Sequence, residues 1–397
     1  MQSLSEITMV IPTYWGAAGE KVVLDEKIVF DHPTPLDQKG TLARLIESFN
    51  VVEGIKDCSI TVIPVANTPL IIDEVTEKVK NILEPYKDQY RISIIDERKL
   101  SQLRENLRQK GIDEDYIDLV SIKNYASVRN ACSIAGILNK SKITIFIDDD
   151  EVFTDSDFLK KVKTGVGKVI NGTEIKALAG YYLQPDTYRL DESRVPNWRK
   201  PYWNNTRAMN EAFKKFIGNP PRYKKTPFVF GGNMAVQLDT LMMVPFDPMI
   251  TRGEDIDFLI NLKTEGIDFF LDRELSIKHL PPPSKRVEWK TLREDAIRFL
   301  YNRKKIRDFN LNTAFFDPYP GLFLKDDLEE RIIGTAKLLI DEYRSQGDKN
   351  AIEECNKIIK YVKSDPFKNL DIRKWLSDLK TMWQKITPIL LETEPFV

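Results

Sequence analysis

The sequence predicts an α/β protein built on a mostly parallel, doubly wound sheet and followed by a region made of helices. Two observations carry this. Through the first half of the 397 residues, short β-branched runs alternate with stretches whose apolar residues recur at i, i+3, i+4 and i+7. Strands joined by crossover helices imply a parallel sheet. After "PPPS" at 281–284 the alternation stops and helical periodicity alone remains.

In chain order, "ITMVIPTY" (7–14), "CSITVIPVA" (58–66), "YRISIID" (90–96) and "KITIFID" (142–148) read as strands. Between them "TLARLIESFNVV", "IIDEVTEKVKNILEPY" and "SVRNACSIAGILNK" read as amphipathic helices. Residues 184–228 are rich in Arg, Lys, Pro and aromatics with weak periodicity, which predicts a long excursion holding one short helix. "FVFGGNMAVQ" (228–237) returns as a strand broken by Gly231 and Gly232, "EDIDFLINLKTEG" as a helix closed by Gly266, and "DFFLDRELSIKHL" as a last strand. Four amphipathic helices then follow: "WKTLREDAIRFLYNRKKI", "DLEERIIGTAKLLIDEYRSQ", "NAIEECNKIIKYVKS" and "IRKWLSDLKTMWQKITPILL". The expected division is an α/β domain over 1–283 and a helical region over 284–397, whose apolar stripes must pack on the first domain or on a second copy of the chain.

Composition bounds the function. A chain that is 42% hydrophobic and 30% charged, with a formal net charge of −1, is an ordinary globular protein and lacks the cationic surplus that nucleic acid requires. Cys58, Cys132 and Cys355 are too far apart for a disulfide framework or a paired-cysteine metal site. With no signal-like N-terminus and no apolar run long enough to span a bilayer, the expectation is a cytoplasmic protein without a transmembrane segment.

The chemistry concentrates in "TIFIDDDEVF" (144–153), where an apolar strand runs into Asp148, Asp149, Asp150 and Glu151. Alternate strand residues face one way, so Asp148 and Asp150 are expected to converge while Asp149 turns aside. Two close carboxylates repel unless a cation lies between them or one is protonated. All-oxygen ligands suit Mg²⁺ or Mn²⁺, ions that keep water and bind substrate phosphates. The competing explanation is a solvated acidic turn.

These residues resemble the D-x-D strand end of nucleotide-sugar glycosyltransferases of the GT-A fold, family 2 in particular. "TMVIPTYW" is similar to that family's first strand, "YASVRNACSIAGILNKSKI" to its A-R-N helix, and "TRGEDIDFLINLKTEGIDFFLDRELSIKH" to its E-D-x-D segment and following strand with a terminal His. The resemblance covers about residues 7–283 and implies a Rossmann-like GT-A domain that moves a sugar from a UDP- or GDP-linked donor to a hydroxyl acceptor. It implies Pro12 and Tyr14 beside the nucleotide, Asp148 near ribose and metal, and Asp149 in the donor site. Asp150 and His279 become metal ligands, and Arg129 meets the nucleotide or diphosphate. Asp255, with Glu254 beside it, becomes the base of an inverting transfer, and Gly231 and Gly232 admit the sugar or acceptor. Simpler accounts stand beside each role: a surface charge for Arg129, a surface imidazole for His279, acids complementing a helix dipole for Glu254 and Asp255, a β-bulge for the glycines.

The departures are an insertion over 15–40, containing Asp31 and His32, and a second strand that ends without the usual acid, where Asn67 is the substitute. A retaining transferase without a dedicated base, a sugar nucleotidyltransferase suggested by "KGTLARL" (39–45), and an inactive transferase-like scaffold are the rival readings. In "KGTLARL" the distance from the first strand favours a helix start capped by Thr41. The acceptor is not legible.

Overall fold

The computed structural model describes residues 5–18, 30, 33–282 and 287–395. Half of the expected insertion, including Asp31 and His32, lies outside the described residues. The chain falls into two compact units, one of residues 1–186, 221–284 and 378–397, the other of 187–220 and 285–377. The division therefore differs from a single boundary near residue 283. Much of the basic excursion counts with the helical unit, and the end of the last helix counts with the sheet.

The strands are β1 (Ile7–Gly16), β2 (Thr34–Pro35), β3 (Ser59–Ala66), β4 (Arg91–Ile94), β5 (Ile143–Phe146), β6 (Glu151–Val152), β7 (Val169–Ile170), β8 (Thr173–Glu174), β9 (Ala177–Leu183), β10 (Tyr223–Lys225), β11 (Met234–Gln237) and β12 (Phe269–His279). The α-helices are α1 (Leu42–Ser48), α2 (Ile72–Leu83), α3 (Glu97–Gln109), α4 (Glu114–Ile117), α5 (Tyr125–Leu138), α6 (Phe158–Gly165), α7 (Lys200–Trp203), α8 (Asn205–Phe216), α9 (Leu238–Met243), α10 (Glu254–Thr264), α11 (Glu288–Asp308), α12 (Leu328–Gln346), α13 (Lys349–Lys363) and α14 (Ile372–Glu392). Among the described residues no helix is long and apolar enough to cross a membrane.

The ten-stranded sheet has the order β10-β12-β9-β11-β5-β1-β3-β4, with β2 beside β1 and β6 beside β12. One half is parallel throughout: β1 pairs β3 and β5, and β3 pairs β4. β1, β3 and β5 are buried runs rich in β-branched residues, as a sheet covered on both faces requires, while the edge strand β4 is only part-buried. The other half is mixed, with β11 antiparallel to both β5 and β9, and β12 parallel to β9. Connections from β1 run to β3 on one side and eventually to β5 on the other. That reversal opens a crevice at the carboxyl ends of β1 and β5.

α5 sets the depth of this crevice. Its first turn is fixed by a capping box, Asn124 accepting from the Ser127 N–H at 2.9 Å while Ser127 Oγ accepts from the Asn124 N–H at 3.0 Å. At Gly136 the helix lies so close to β5 that an added Cβ would sit 1.9 Å from Thr144 Oγ1. Arg129, about two turns nearer the helix start, is thereby held at the carboxyl end of the sheet.

Two expected elements are altered. The strand predicted over 228–237 forms only from Met234 to Gln237, with Gly231 and Gly232 in a preceding turn closed by the Asn233 N–H donating to the Phe230 carbonyl at 2.9 Å. Thr41 does stand at the start of α1, but its side chain makes no capping bond.

In the helical unit, α11, α12 and α13 take the places predicted for them. The excursion contributes α7, α8 and short 3₁₀ turns, more helix than its weak periodicity suggests. α14 begins in this unit, and its later residues join the sheet unit. There Trp383 Nε1 donates to the Leu241 carbonyl at 2.7 Å, and Thr387 Oγ1 and Gln384 Nε2 reach the Met242 and Met243 carbonyls. These are the last carbonyls of α9, which have no partner within their own helix.

Candidate functional site

β5 ends at Phe146, two residues before the first acid, and Asp149 and Asp150 lie in a turn. Strand alternation therefore does not govern the acids, and the expected convergence of Asp148 and Asp150 with Asp149 turned away is not what forms. The acids separate, each toward a different partner.

Asp148 goes to Arg129. Its Oδ1 lies 2.8 Å from Nη1 and its Oδ2 accepts from Nη2 at 3.2 Å. Arg129 is 4% exposed, and its Nε donates to Glu254 Oε1 at 3.1 Å. Burial alone would lower the pKa of Arg129, but Asp148, Tyr14 and Glu254 together hold it well above the usual guanidinium value. The guanidinium thus joins the acid turn to the first turn of α10. That is a different setting from the open diphosphate contact expected for it.

Asp149 goes to β1. Thr13 Oγ1 donates to its Oδ2 at 2.5 Å and in turn accepts from Trp15 Nε1 at 2.9 Å. The hydroxyl of Thr41, unused as a cap, also faces this carboxyl. Burial first, then the charge of Asp150, push Asp149 up to about 8, against the opposing hydroxyl of Thr13.

Asp150 goes to β12. Its Oδ2 stands 3.3 Å from His279 Nε2, and the turn is anchored by the Leu280 N–H donating to the Asp150 carbonyl at 2.9 Å. Arg44 Nη2 donates to the Leu280 carbonyl at 2.6 Å from the other side. A carboxylate oxygen and an imidazole nitrogen at this separation need a proton or a cation between them.

Glu151, missed as a site residue, is fully buried in β6. Its Oε2 accepts from the Asp148 N–H at 3.2 Å, while Oε1 has no hydrogen-bond partner among the described residues. Burial, then Asp148 and Asp150, raise its pKa well above the ordinary carboxyl value; the Tyr182 hydroxyl opposes this.

The two glycines are required by these charged groups. A Cβ on Gly232 would lie 2.2 Å from Glu151 Oε1 and 2.7 Å from the Asp148 carboxyl, and one on Gly231 would lie 2.6 Å from Arg129 Nη2.

The remaining predicted residues line the same end of the sheet. Pro12 and Tyr14 are in β1, opposite Ile63 and Val65 of β3. The Tyr14 ring packs against Phe30 at 4.9 Å and Tyr125 at 5.5 Å, and its buried hydroxyl has no hydrogen-bond partner among the described residues. Asn67 Oδ1 accepts from the Ala17 N–H at 3.2 Å and so ties the ends of β1 and β3 together. At the start of α10, behind Gly253 with φ +73°, Glu254 is buried against Arg129, whereas Asp255 is half-buried and its Oδ1 accepts from the Ile256 N–H at 2.7 Å.

The structure thus brings Asp148, Asp149, Asp150, Arg129, Glu254, Gly232 and His279 into one neighbourhood. Sequence reasoning missed Glu151 and Tyr182. Tyr182 lies in "ALAGYYL", an apolar stretch whose length and aromatic content are compatible with a buried strand.

Neither a protein-family model nor a curated protein sequence matches the chain. Solved structures similar to it include a mannosyltransferase from Pyrobaculum calidifontis in complex with GDP-Man and Mn²⁺, at 13% identity over 98% of this chain and 88% of that one, TM-score 0.43. They also include glucosyl-3-phosphoglycerate synthase from Mycobacterium tuberculosis in complex with Mg²⁺ and uridine diphosphate, at 13% identity over 78% of this chain and 80% of that one, TM-score 0.37.

Proposed function

We propose that the chain is a metal-dependent glycosyltransferase that takes a hexosyl group from a UDP- or GDP-linked sugar and passes it to a hydroxyl acceptor. The observation that carries this reading is the facing pair Asp150 and His279, 3.3 Å apart at the mouth of the crevice. Among the described residues no three His, Cys, Asp or Glu side chains gather as a complete metal cage. A site with two protein ligands fits Mg²⁺ or Mn²⁺, whose other positions go to water and substrate phosphate. Asp150 and His279 would hold the ion, which when bound offsets charge on a departing nucleoside diphosphate.

The chain's own residues supply the rest. Arg129 pairs with both Asp148 and Glu254 and offsets one of their two charges, so the wall beside the ion carries less negative charge than its sequence suggests. Asp149 is fixed by Thr13, and the Tyr14 hydroxyl in β1, unpaired among the described residues, is offered to a donor group. Asp255, half-buried at the amino end of α10, is the base that takes the acceptor proton in an inverting transfer. Its neighbour Glu254 is committed to Arg129 and does not share this task.

The test is a calorimetric titration with UDP and with GDP, in Mn²⁺ and in EDTA. At least one nucleotide is expected to bind tenfold or more tightly with the metal, and Asp150→Ala to abolish the difference. Equal binding in both buffers overturns the metal reading.

A further inference from the structure

Resting on the metal-dependent reading above, we propose that Tyr182 is a positioning residue that fixes the plane of the His279 imidazole and couples it to the Gly231–Gly232 turn. Tyr182 is the next-to-last residue of β9, and β12 runs parallel beside it with Ile277 opposite Tyr182. His279 lies two residues further along β12, on the same face as Ile277. The two rings stack with centroids 4.6 Å apart and planes 16° from parallel. At its other end the tyrosine hydroxyl accepts from the Gly232 N–H at 2.9 Å. The same hydroxyl lies near the carboxyl of Glu151, the residue paired with His279 across β6 and β12.

One side chain therefore touches the imidazole, the glycine turn and the buried acid next to Asp150. An imidazole held at one nitrogen by a carboxylate can still swing about its χ2 torsion, which is broad for such a ring. A face-to-face aromatic partner removes that freedom. Half-buried packing could be met by any apolar residue, but a ring of this kind restrains orientation, and its hydroxyl satisfies a backbone N–H that a phenylalanine would leave bare. Residues that orient a ligating histidine typically change metal affinity 10–100-fold when lost.

The experiment measures Mn²⁺ affinity with UDP or GDP present, from the electron paramagnetic resonance signal of free Mn²⁺, independently of turnover. Tyr182→Leu is expected to weaken Mn²⁺ binding about 10–100-fold, whereas Tyr182→Phe, which keeps the ring, stays within about threefold. In a His279→Ala background the leucine substitution is expected to have no further effect, which a general structural lesion would not reproduce. If Tyr182→Leu does not fold, Tyr182→Gln, polar but without a ring, is read in the same way. Wild-type affinity in the folded leucine or glutamine variant, or an equal loss in the His279→Ala background, overturns the proposal. Failure of the underlying reading is distinct: the wild-type protein itself then shows no nucleotide-dependent Mn²⁺ binding.

Discussion

On the side of the acid turn that faces β1 and α5, Asp148 and Glu254 share the buried guanidinium of Arg129, and Asp149 takes the hydroxyl of Thr13. On the side that faces β12, Asp150 meets a partly exposed imidazole across 3.3 Å. The same contrast recurs at the start of α10, where Glu254 is 7% exposed and ion-paired while Asp255, the next residue, is half-buried. Adjacent acids of one chain thus divide by partner into a neutralised set, held by Arg129 or Thr13, and a second, open set, Asp150 and Asp255, to which the proposed chemistry is assigned. The difference teaches that an acidic run need not act as a unit: its members are sorted by whatever partner, cation or hydrogen-bond donor, lies within reach.

Asp255→Asn tests the open set most severely. If Asp255 is the base, transfer falls about 10²–10⁴-fold while donor affinity stays within a few-fold, as single-turnover rates and equilibrium binding would read. Loss of donor affinity instead would move Asp255 into the nucleotide site, and near-normal turnover would erase the contrast with Glu254.

Arg129→Met tests the neutralised set. Removing one member of a buried ion-pair cluster typically costs about 3–5 kcal/mol, because the remaining charges stay buried without compensation. Urea denaturation monitored by fluorescence should show a loss of that size. An unchanged midpoint would mean that Asp148 and Glu254 need no guanidinium.

Gly232→Ala presses on the seam between the two sets, since its Cβ would meet both Glu151 and Asp148. Overpacking of this kind costs about 1–3 kcal/mol, to be read from the same denaturation curves. A neutral result would show that the turn can retreat and that the glycine is not needed for close approach.

The smallest effect is expected for Asp150→Asn in EDTA. An acid that is not architectural should change metal-free stability by about 0.5 kcal/mol or less. A loss comparable to that of Arg129→Met would place Asp150 in the neutralised set and weaken the case for a cation there.

The parallel half of the sheet was legible because its strands are short runs rich in β-branched residues, separated by helical periodicity; β3, β4 and β5 fall within the runs that predict them, and β1 overruns its own by two residues, Trp15 and Gly16. The mixed half was less so. β6 is two residues long, β11 is cut short by the turn at Gly231 and Gly232, and β9 is an apolar run with no alternation to mark it. The hairpin of β7 and β8, closed by Asn171 and Gly172, carried the strongest short-range turn signal in the chain and still went unread.

At the site, sequence order gave the right neighbours but not their pairings. Where β5 stops decides whether Asp148 and Asp150 share a face, and a difference of two residues at a strand end is beyond what periodicity resolves. Tyr182 was invisible for a related reason. Its meaning depends on β9 lying beside β12, a pairing between segments some ninety residues apart, Tyr182 and Ile277 being partners.

The hold of α14 on α9 bears on how the chain comes into being at the ribosome. Residues 238–243 follow directly from β11, so the sheet unit has nearly all its strands once β12 has emerged. The carbonyls of Leu241, Met242 and Met243 nonetheless wait for Trp383, Thr387 and Gln384, made more than a hundred residues later. Throughout that interval water must serve those carbonyls, and the emerging helical unit is synthesised before the sheet unit is sealed. A nascent chain arrested before Trp383 therefore holds these α9 carbonyls without the side-chain donors that complete the sheet unit.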